Sequence, residues 1–278
     1  MLKDTQIAVL GCGQMGGALV RGWVHAGVVT GKNLRLFGAR RETAQALADD
    51  AEGATVANSA SEAVAGADTI IVCVKPNLVS AVLRPLYHSR IPEPSALVVC
   101  IAAGIRIETL EKATFEADVY PACPVIRVMP NTPALVGEAA SAFCRGTHAT
   151  DDHAKTIQTL FGAVGSCVEV TREALIDAVI GVAGSAPAYF YLIIEALTDG
   201  GVRAGLPRDT ARTLAAQTML GSAKMILTTG THPMALKDAV TTPGGTTIAA
   251  LGVLESGGLR GTLMDAVRAA AERSKEMG

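Results

Sequence analysis

The sequence predicts an α/β fold, with an N-terminal doubly wound parallel sheet followed by a C-terminal all-helical domain. Three observations carry this expectation. Short apolar runs alternate with helix-like stretches over the first part of the chain, a glycine-rich turn directly follows the first run, and only helical periodicity remains from residue 171 onward. Strands separated by helices imply right-handed βαβ units and therefore a parallel sheet. The expected domains are 1–170 and 171–278.

Taken in order, the apolar run Ile7–Leu10 precedes a helical stretch through Trp23, and Leu34–Phe37 precedes the Ala- and charge-rich helix Glu42–Asp50. Further strands are expected at Thr69–Val74, Ala96–Ile101, Val125–Met129 and Val168–Val170. The runs IAVL, TIIVCV and ALVVCI are almost continuously apolar, as strands covered on both faces require. Beyond Thr171 the helical segments are punctuated at Gly200-Gly201, Pro207, Pro233 and Pro243. The first of them is apolar nearly all round, more than a surface helix needs, so burial against a second subunit is expected, with a large intramolecular core as the alternative. Its uncharged stretch Ala178–Ile194 is at the short limit for a membrane span, is bounded by Asp177 and Glu195, and is interrupted by Pro187. No membrane partner is expected.

Composition narrows the function. Hydrophobic residues make up 49% and charged residues 18%, so the chain should fold, and a net charge of -2 with no basic stripe argues against nucleic acid. The six cysteines form no C-x-x-C pair and mostly lie in apolar runs, which predicts reduced, buried thiols. The N-terminus goes directly into a strand without the features of a signal peptide, and the expected location is cytoplasmic. None of the five histidines has a metal-binding spacing, so no metal is expected.

Gly11-Cys12-Gly13-Gln14-Met15-Gly16 is a G-x-G-x-x-G between a strand and a helix, the context that gives the motif meaning. The first glycine allows the tight turn, the second lets backbone approach a pyrophosphate, the third lets helix and strand pack closely, and the helix N-terminus attracts the anion. This makes the first domain Rossmann-like. An NAD site normally carries Asp or Glu at the end of the second strand, but LRLF here ends in Gly38-Ala39-Arg40-Arg41. Small residues and guanidiniums suit a 2′-phosphate, so NADP(H) is preferred over NAD(H), which stays a second candidate.

The usual acid–base groups of carbonyl reductases are missing. No Tyr is followed four residues later by Lys, and no G-x-S-x-G occurs. Lys75 could reach a site from a strand end. A reductase without an evident proton donor should act on an activated bond, and a protonated C=N is the simplest. A hydroxyacid dehydrogenase would need a catalytic Lys on a helix of the second domain, for which Lys224 is the candidate, and a chain that binds NADPH without turnover is a third reading.

A second glycine-rich loop, TTPGGTT at Thr241–Thr247, opens a helix. Pro243 fixes a turn, Gly244-Gly245 free the backbone, and successive N–H groups flanked by hydroxyls make a site sized for a carboxylate, unless the stretch is only a turn and a cap.

LKDAVTTPGGTTIAALGVLESGGLRGTLMDAV is similar to the C-terminal signature of the pyrroline-5-carboxylate reductase family. The resemblance extends along essentially the whole chain: GCGQMGGAL at the start, VKP at 74–76, CIAAG at 100–104, RVMPNTPALVGEAA at 127–140 and LIDAVIGVAGSAPAY at 175–189. It implies hydride transfer from NAD(P)H to C5 of a cyclic imine, giving L-proline, by a chain whose helical domains interlock into homodimers that assemble into larger rings. It further implies that Thr247 hydrogen-bonds the ring nitrogen and that backbone at Gly245 and Thr246, with Thr242, holds the carboxylate. Glu173 matches a family glutamate near the active site. Ala102 and Ala103 would face the nicotinamide, Asn131 would support that end, Asn58 would lie on the adenosine side, and Val74, Lys75 and Pro76 would line the cofactor's edge. The chain departs from the family pattern at Ala183 and Ala186, where members commonly read SGSGPAY, and at Ala239, where many have Asn or Gln.

Overall fold

The computed structural model describes residue 2, residues 4–115 and residues 122–277. The chain divides into two compact units: one runs up to Ser185 and takes in the chain again from Ala269, and the other is Ala186–Arg268.

The first unit contains β1 (Ile7–Leu10), α1 (Gln14–His25), β2 (Leu34–Phe37), α2 (Arg41–Asp50), β3 (Thr55–Val56), α3 (Ala60–Val64) and β4 (Thr69–Val72). It continues with α4 (Val79–His88), β5 (Leu97–Cys100), α5 (Ile107–Thr114), β6 (Val125–Met129), β7 (Ala139–Arg145), α6 (Asp151–Gly162), β8 (Gly165–Glu169) and α7 (Leu175–Val179). The strands form one sheet in the order β3-β2-β1-β4-β5-β6-β7-β8. All neighbours are parallel except β6 and β7, whose antiparallel register sets Arg127 opposite Cys144.

Period-2 alternation sends successive side chains to opposite faces. Ile7 and Val9 of β1 join Leu36, Trp23 and Phe161 in one core, while Ala8 and Leu10 join Leu83, Tyr87 and Leu110 in the other. Trp23 and Phe161 meet edge to face with centroids 6.5 Å apart. Both faces are thus covered, which explains the nearly continuous apolar strands. Two strands lie outside the sequence expectation. β3 is two residues long, and β7 (AASAFCR) is dominated by small residues that do not announce a strand.

The second unit begins with α8 (Ala186–Arg203), followed by α9 (Arg208–Thr229), α10 (Pro233–Ala239) and α11 (Thr246–Ser256). α12 (Leu259–Met277) starts in this unit and finishes in the first. The division at Ser185/Ala186 falls later than the expected 170/171 boundary, because α7 packs on the sheet unit and a single turn of π-helix, Ile180–Gly184, separates it from α8. Within the second unit, α8 and α9 approach closely at Gly201, where an added Cβ would lie 2.9 Å from that of Ala211. The unit has almost no interior of its own: Ala186, Pro187, Thr198 and Ala211 are buried, while Leu192 is 72% exposed, Val253 73% and Leu227 78%.

Candidate functional site

In a doubly wound sheet, ligands bind beyond the carboxyl ends of the strands. Here the loops after β1, β2 and β4 enclose a cavity of about 450 Å³ lined by Gly11, Cys12, Gly13, Gly38, Ala39, Arg40, Thr43, Cys73, Val74, Lys75 and Leu78. The three glycines of the first loop do different work. Gly11 has φ +113°, and a Cβ there would sit 2.6 Å from the Cys73 carbonyl. A Cβ on Gly16 would fall on the Gly11 carbonyl oxygen. Around Gly13 an added Cβ meets nothing within 4 Å, so protein packing does not require glycine there. Gly13 is the N-cap of α1 and offers no side chain to its first turn, which also carries no acid. Open space in front of uncapped helix amides is a cradle for a pyrophosphate. Gln14 and Met15 open α1 beside it, Gln14 exposed and Met15 half-buried.

The end of β2 treats its two arginines differently. Nη1 of Arg41 donates to Oδ1 of Asn58 at 2.8 Å, and the N–H and Nδ2 of Asn58 donate to Glu62 at 2.8 and 3.0 Å. Asn58 is therefore an exposed residue held by its neighbours, outside the cavity lining. Arg40 lines the cavity and is exposed; its carbonyl accepts from the Thr43 and Ala44 N–H groups, while its guanidinium forms no hydrogen bond or ion pair among the described residues. It is the guanidinium free to meet a phosphate. Lys75 is exposed at the N-cap of the 3-10 turn Pro76–Leu78. Burial pushes the Cys12 thiol up to about 11 and, with the neighbouring Cys100 and Cys12 thiols, raises Cys73 further, so the cavity-lining sulfurs are neutral and poorly nucleophilic. Sequence reasoning missed Thr43, Cys73 and Leu78 in this lining.

The next two strand ends, in sheet order, carry the remaining candidates. Ala102 is buried and Ala103 half-buried in the loop that leaves β5. Asn131, buried after β6, is held at both ends of its amide: Nδ2 donates to the Ala183 carbonyl at 3.0 Å and Oδ1 accepts from the Ala140 N–H at 2.9 Å. Its side chain thus ties β7 to the π-turn. Oε1 of Glu173 accepts from Nη1 of Arg127 and from the Ile107 N–H, each at 2.8 Å. Arg127 is 3% exposed and Glu173 23%, so this ion pair fixes the carboxylate at the start of α5. The lone arginine in the apolar strand VIRVM was the sequence signal for a buried partner. Among the described residues no cluster of His, Cys, Asp and Glu could hold a metal ion.

The second glycine-rich loop is built to present amides. Thr241 closes off α10 through Oγ1 to the Lys237 carbonyl (2.7 Å), and the Gly245 N–H donates to the Thr242 carbonyl (3.0 Å). Gly244 has φ +66°, which only glycine adopts readily, and a Cβ on Gly245 would fall on Oγ1 of Thr242. Gly245 is the uncapped N-cap of α11. Since the Gly245 amide is engaged in the turn, the free donors are those of Thr246 and Thr247 in the first turn of α11. Thr246 and Thr242 are exposed and Thr247 is half-buried. Lys224 is exposed in the middle of α9.

Comparison with known proteins gives a consistent picture. Residues 173–277 match the family described as "Pyrroline-5-carboxylate reductase dimerisation", and residues 6–104 match "NADP oxidoreductase coenzyme F420-dependent". The chain is 44% identical to a pyrroline-5-carboxylate reductase of Pisum sativum over 282 residues, covering 100% of this chain and 98% of the relative. Among solved structures, a pyrroline-5-carboxylate reductase of Coxiella burnetii superposes with a TM-score of 0.92 at 30% identity, covering 99% of this chain and 98% of the other. A pyrroline carboxylate reductase of Plasmodium falciparum with NADP bound gives 0.82 at 32% identity, with coverage of 99% and 98%.

Proposed function

This chain belongs to the pyrroline-5-carboxylate reductase family, and we propose that its two glycine-rich loops divide the reaction between them. The protein reduces 1-pyrroline-5-carboxylate to L-proline with NADP(H). When bound, NADPH supplies the hydride that C5 of the ring accepts, while the nitrogen of the protonated imine keeps its proton and becomes the secondary amine. The chain's own work is to bind and orient. Gly11, Gly13, Gln14, Met15 and Gly16 take the pyrophosphate at the start of α1, and Ala39 and Arg40 take the 2′-phosphate. Val74, Lys75 and Pro76 line the edge, Ala102 and Ala103 face the nicotinamide, Asn131 acts through the backbone it ties, and Asn58 steadies Arg41 on the adenosine side. The substrate carboxylate rests on the amides of Thr246 and Thr247 with the Thr242 hydroxyl, in a frame that Gly245 makes possible. The Thr247 hydroxyl hydrogen-bonds the ring nitrogen, and Glu173 acts from its fixed place beside Arg127. Because the imine is already activated, holding the reactants in register supplies most of the rate.

One observation supports this division above others. Both loops present uncapped helix amides, one at a cavity of about 450 Å³ that Arg40 also lines and one flanked by threonine hydroxyls. NADH is proposed as a weaker alternative donor. The exposed apolar helices are proposed to pack against a second copy in a homodimer, which assembles into larger rings. One helical stretch, Leu175–Arg203, is long and apolar enough to cross a membrane, yet it lies wholly inside the matched dimerisation region, so its surface is assigned to the partner chain. The reduced thiols support a cytoplasmic location.

The test is NADPH oxidation with the five-membered cyclic imine, beside hydroxyacids, ketoacids and six-membered imines. Strong turnover on the five-membered imine is expected, and Thr247→Ala should lower turnover and raise the substrate KM while NADPH affinity stays within twofold. Wild-type kinetics in that variant would remove Thr247 from its role, and preference for a hydroxyacid would overturn the substrate assignment.

A further inference from the structure

We propose that the last turn of the chain, Ser274 to Met277, is part of the wall behind the nicotinamide site, and that Ser274 is its positioning residue. This rests on the reading that the loop after β5 faces the nicotinamide. α12 leaves the helical unit and, from Ala269, belongs to the dinucleotide unit. There, Oγ of Ser274 donates to Oδ1 of Asp177 at 2.6 Å, with Ser274 6% and Asp177 2% exposed. The other oxygen of Asp177 lies 3.9 Å from Nη2 of Arg106, the residue that ends the loop and caps α5. Four residues before Asp177, Glu173 takes the N–H of Ile107. Two carboxylates thus grip the junction Arg106–Ile107. Gly104 of the same loop has φ +76°, and a Cβ there would come within 3.3 Å of the Met277 carbonyl oxygen. The segment Ala102–Ile107, which carries two proposed nicotinamide contacts, is therefore backed by the chain terminus on one side and held by α7 and the residues just before it on the other.

Ser274 matters most because its hydroxyl is the close partner of a buried carboxylate, and the Arg106 contact is loose. Remove the hydroxyl and a buried charge keeps one partner at 3.9 Å. Relaxation then draws the Arg106 guanidinium toward Asp177, and Arg106 is the residue that ends the loop and caps α5, so the loop is expected to shift with it. Arg273 provides the internal control. It lies on the same turn, pairs with Glu276 at 2.7 Å, and is 70% exposed, so its loss weakens the helix end without touching Asp177.

The experiment compares full-length wild type, Ser274→Ala, Ser274→Thr and Arg273→Ala. Hydrogen exchange of residues 101–107 without ligand should rise at least severalfold in Ser274→Ala and stay near wild type in Arg273→Ala. On adding NADPH, the emission of the bound dihydronicotinamide should change in Ser274→Ala while the Kd stays within twofold. With the cyclic imine, kcat should fall roughly tenfold, the size expected for one charge-assisted hydrogen bond. Ser274→Thr, which restores the hydroxyl, should recover exchange and emission. Unchanged exchange and emission in Ser274→Ala, or equal losses in Arg273→Ala, would overturn the inference. If wild type fails on the imine, the proposed substrate falls, while exchange at residues 101–107 still decides the role of Ser274.

Discussion

Substituting alanine at each of the three motif glycines should separate folding from cofactor binding. In Gly11→Ala the new methyl sits 2.6 Å from the Cys73 carbonyl on a backbone at φ +113°, which no alanine adopts without strain. Backbone strain of about 1–3 kcal/mol and overpacking of similar size add to roughly 2–6 kcal/mol. Gly16→Ala meets the Gly11 carbonyl and should be destabilised by the overpacking part alone. Gly13→Ala is different in kind, because Gly13 has φ -78°, ψ -165° and nothing within 4 Å of the added carbon. Its stability without ligand should stay within about 0.5 kcal/mol of wild type, or rise slightly through a less flexible unfolded chain. Its methyl, however, occupies the space where the pyrophosphate meets the first turn. Losing one or two charge-assisted amide bonds, at about 1.5–3 kcal/mol each, weakens NADPH binding by roughly 10- to 10⁴-fold. Thermal unfolding without cofactor and a fluorescence titration with NADPH measure the two quantities separately. A Gly13→Ala protein that keeps wild-type affinity, or that melts as early as Gly11→Ala, would refute the placement of the pyrophosphate at α1.

Arg40→Asp should lower NADPH affinity by roughly 10–100-fold and leave NADH affinity nearly unchanged, since one arginine–phosphate contact is removed and an acid placed where an NAD ribose would be held; equal losses for both cofactors would sink the assignment. Alkylation of Cys12 should be slow at pH 8 and should climb about tenfold per pH unit between pH 7.5 and 9.5 without levelling, because burial raises the thiol from 9.0 to about 11 and the reactive thiolate appears only as pH approaches that value. Saturating NADPH should slow the reaction further, as Cys12 lines the cavity. A plateau near pH 9, followed by mass spectrometry of the labelled peptide, would show an ordinary exposed thiol instead.

What could be read from the sequence was what depends on neighbours along the chain. The loop Gly11–Gly16 is legible because a tight turn, a strand before it and a helix after it leave few alternatives, and the structure gives Gly11 and Gly16 steric reasons within the fold while leaving open space at Gly13. The partners of the functional carboxylates were not legible. Arg127 and Glu173 meet across 46 residues of sequence, and Asp177 and Ser274 across 97. Only the fold brings them together, and VIRVM and LIDAV show merely that a charge lies in an apolar context. Asn131 marks the same limit from the other side. Its amide bonds the Ala183 carbonyl and the Ala140 N–H, a pairing the motif did not announce because it requires both β7, which small residues concealed, and the π-turn.

The helical unit carries a further consequence for how activity depends on assembly. α11, which presents Thr246 and Thr247, buries none of its residues in the single chain, and Val253 on the same helix is 73% exposed. A unit with so little interior cannot hold a loop in catalytic register alone. The cofactor cavity, by contrast, sits on a sheet with two complete cores of its own. Turnover and NADPH binding should therefore respond differently when the assembly is weakened. In a two-fold symmetric dimer a single substitution is felt twice. If Val253 is buried in the partner, Val253→Asp forfeits at least the 1.5–3 kcal/mol of each valine, or about 3–6 kcal/mol per dimer, which is a roughly 10²- to 10⁴-fold weaker association. Specific activity should then fall on dilution at concentrations where wild type is fully active, in step with dissociation measured by analytical ultracentrifugation, while NADPH Kd stays within twofold. Full activity from a demonstrably monomeric Val253→Asp protein would mean that α11 holds the substrate loop unaided, and the coupling between assembly and turnover would have to be abandoned.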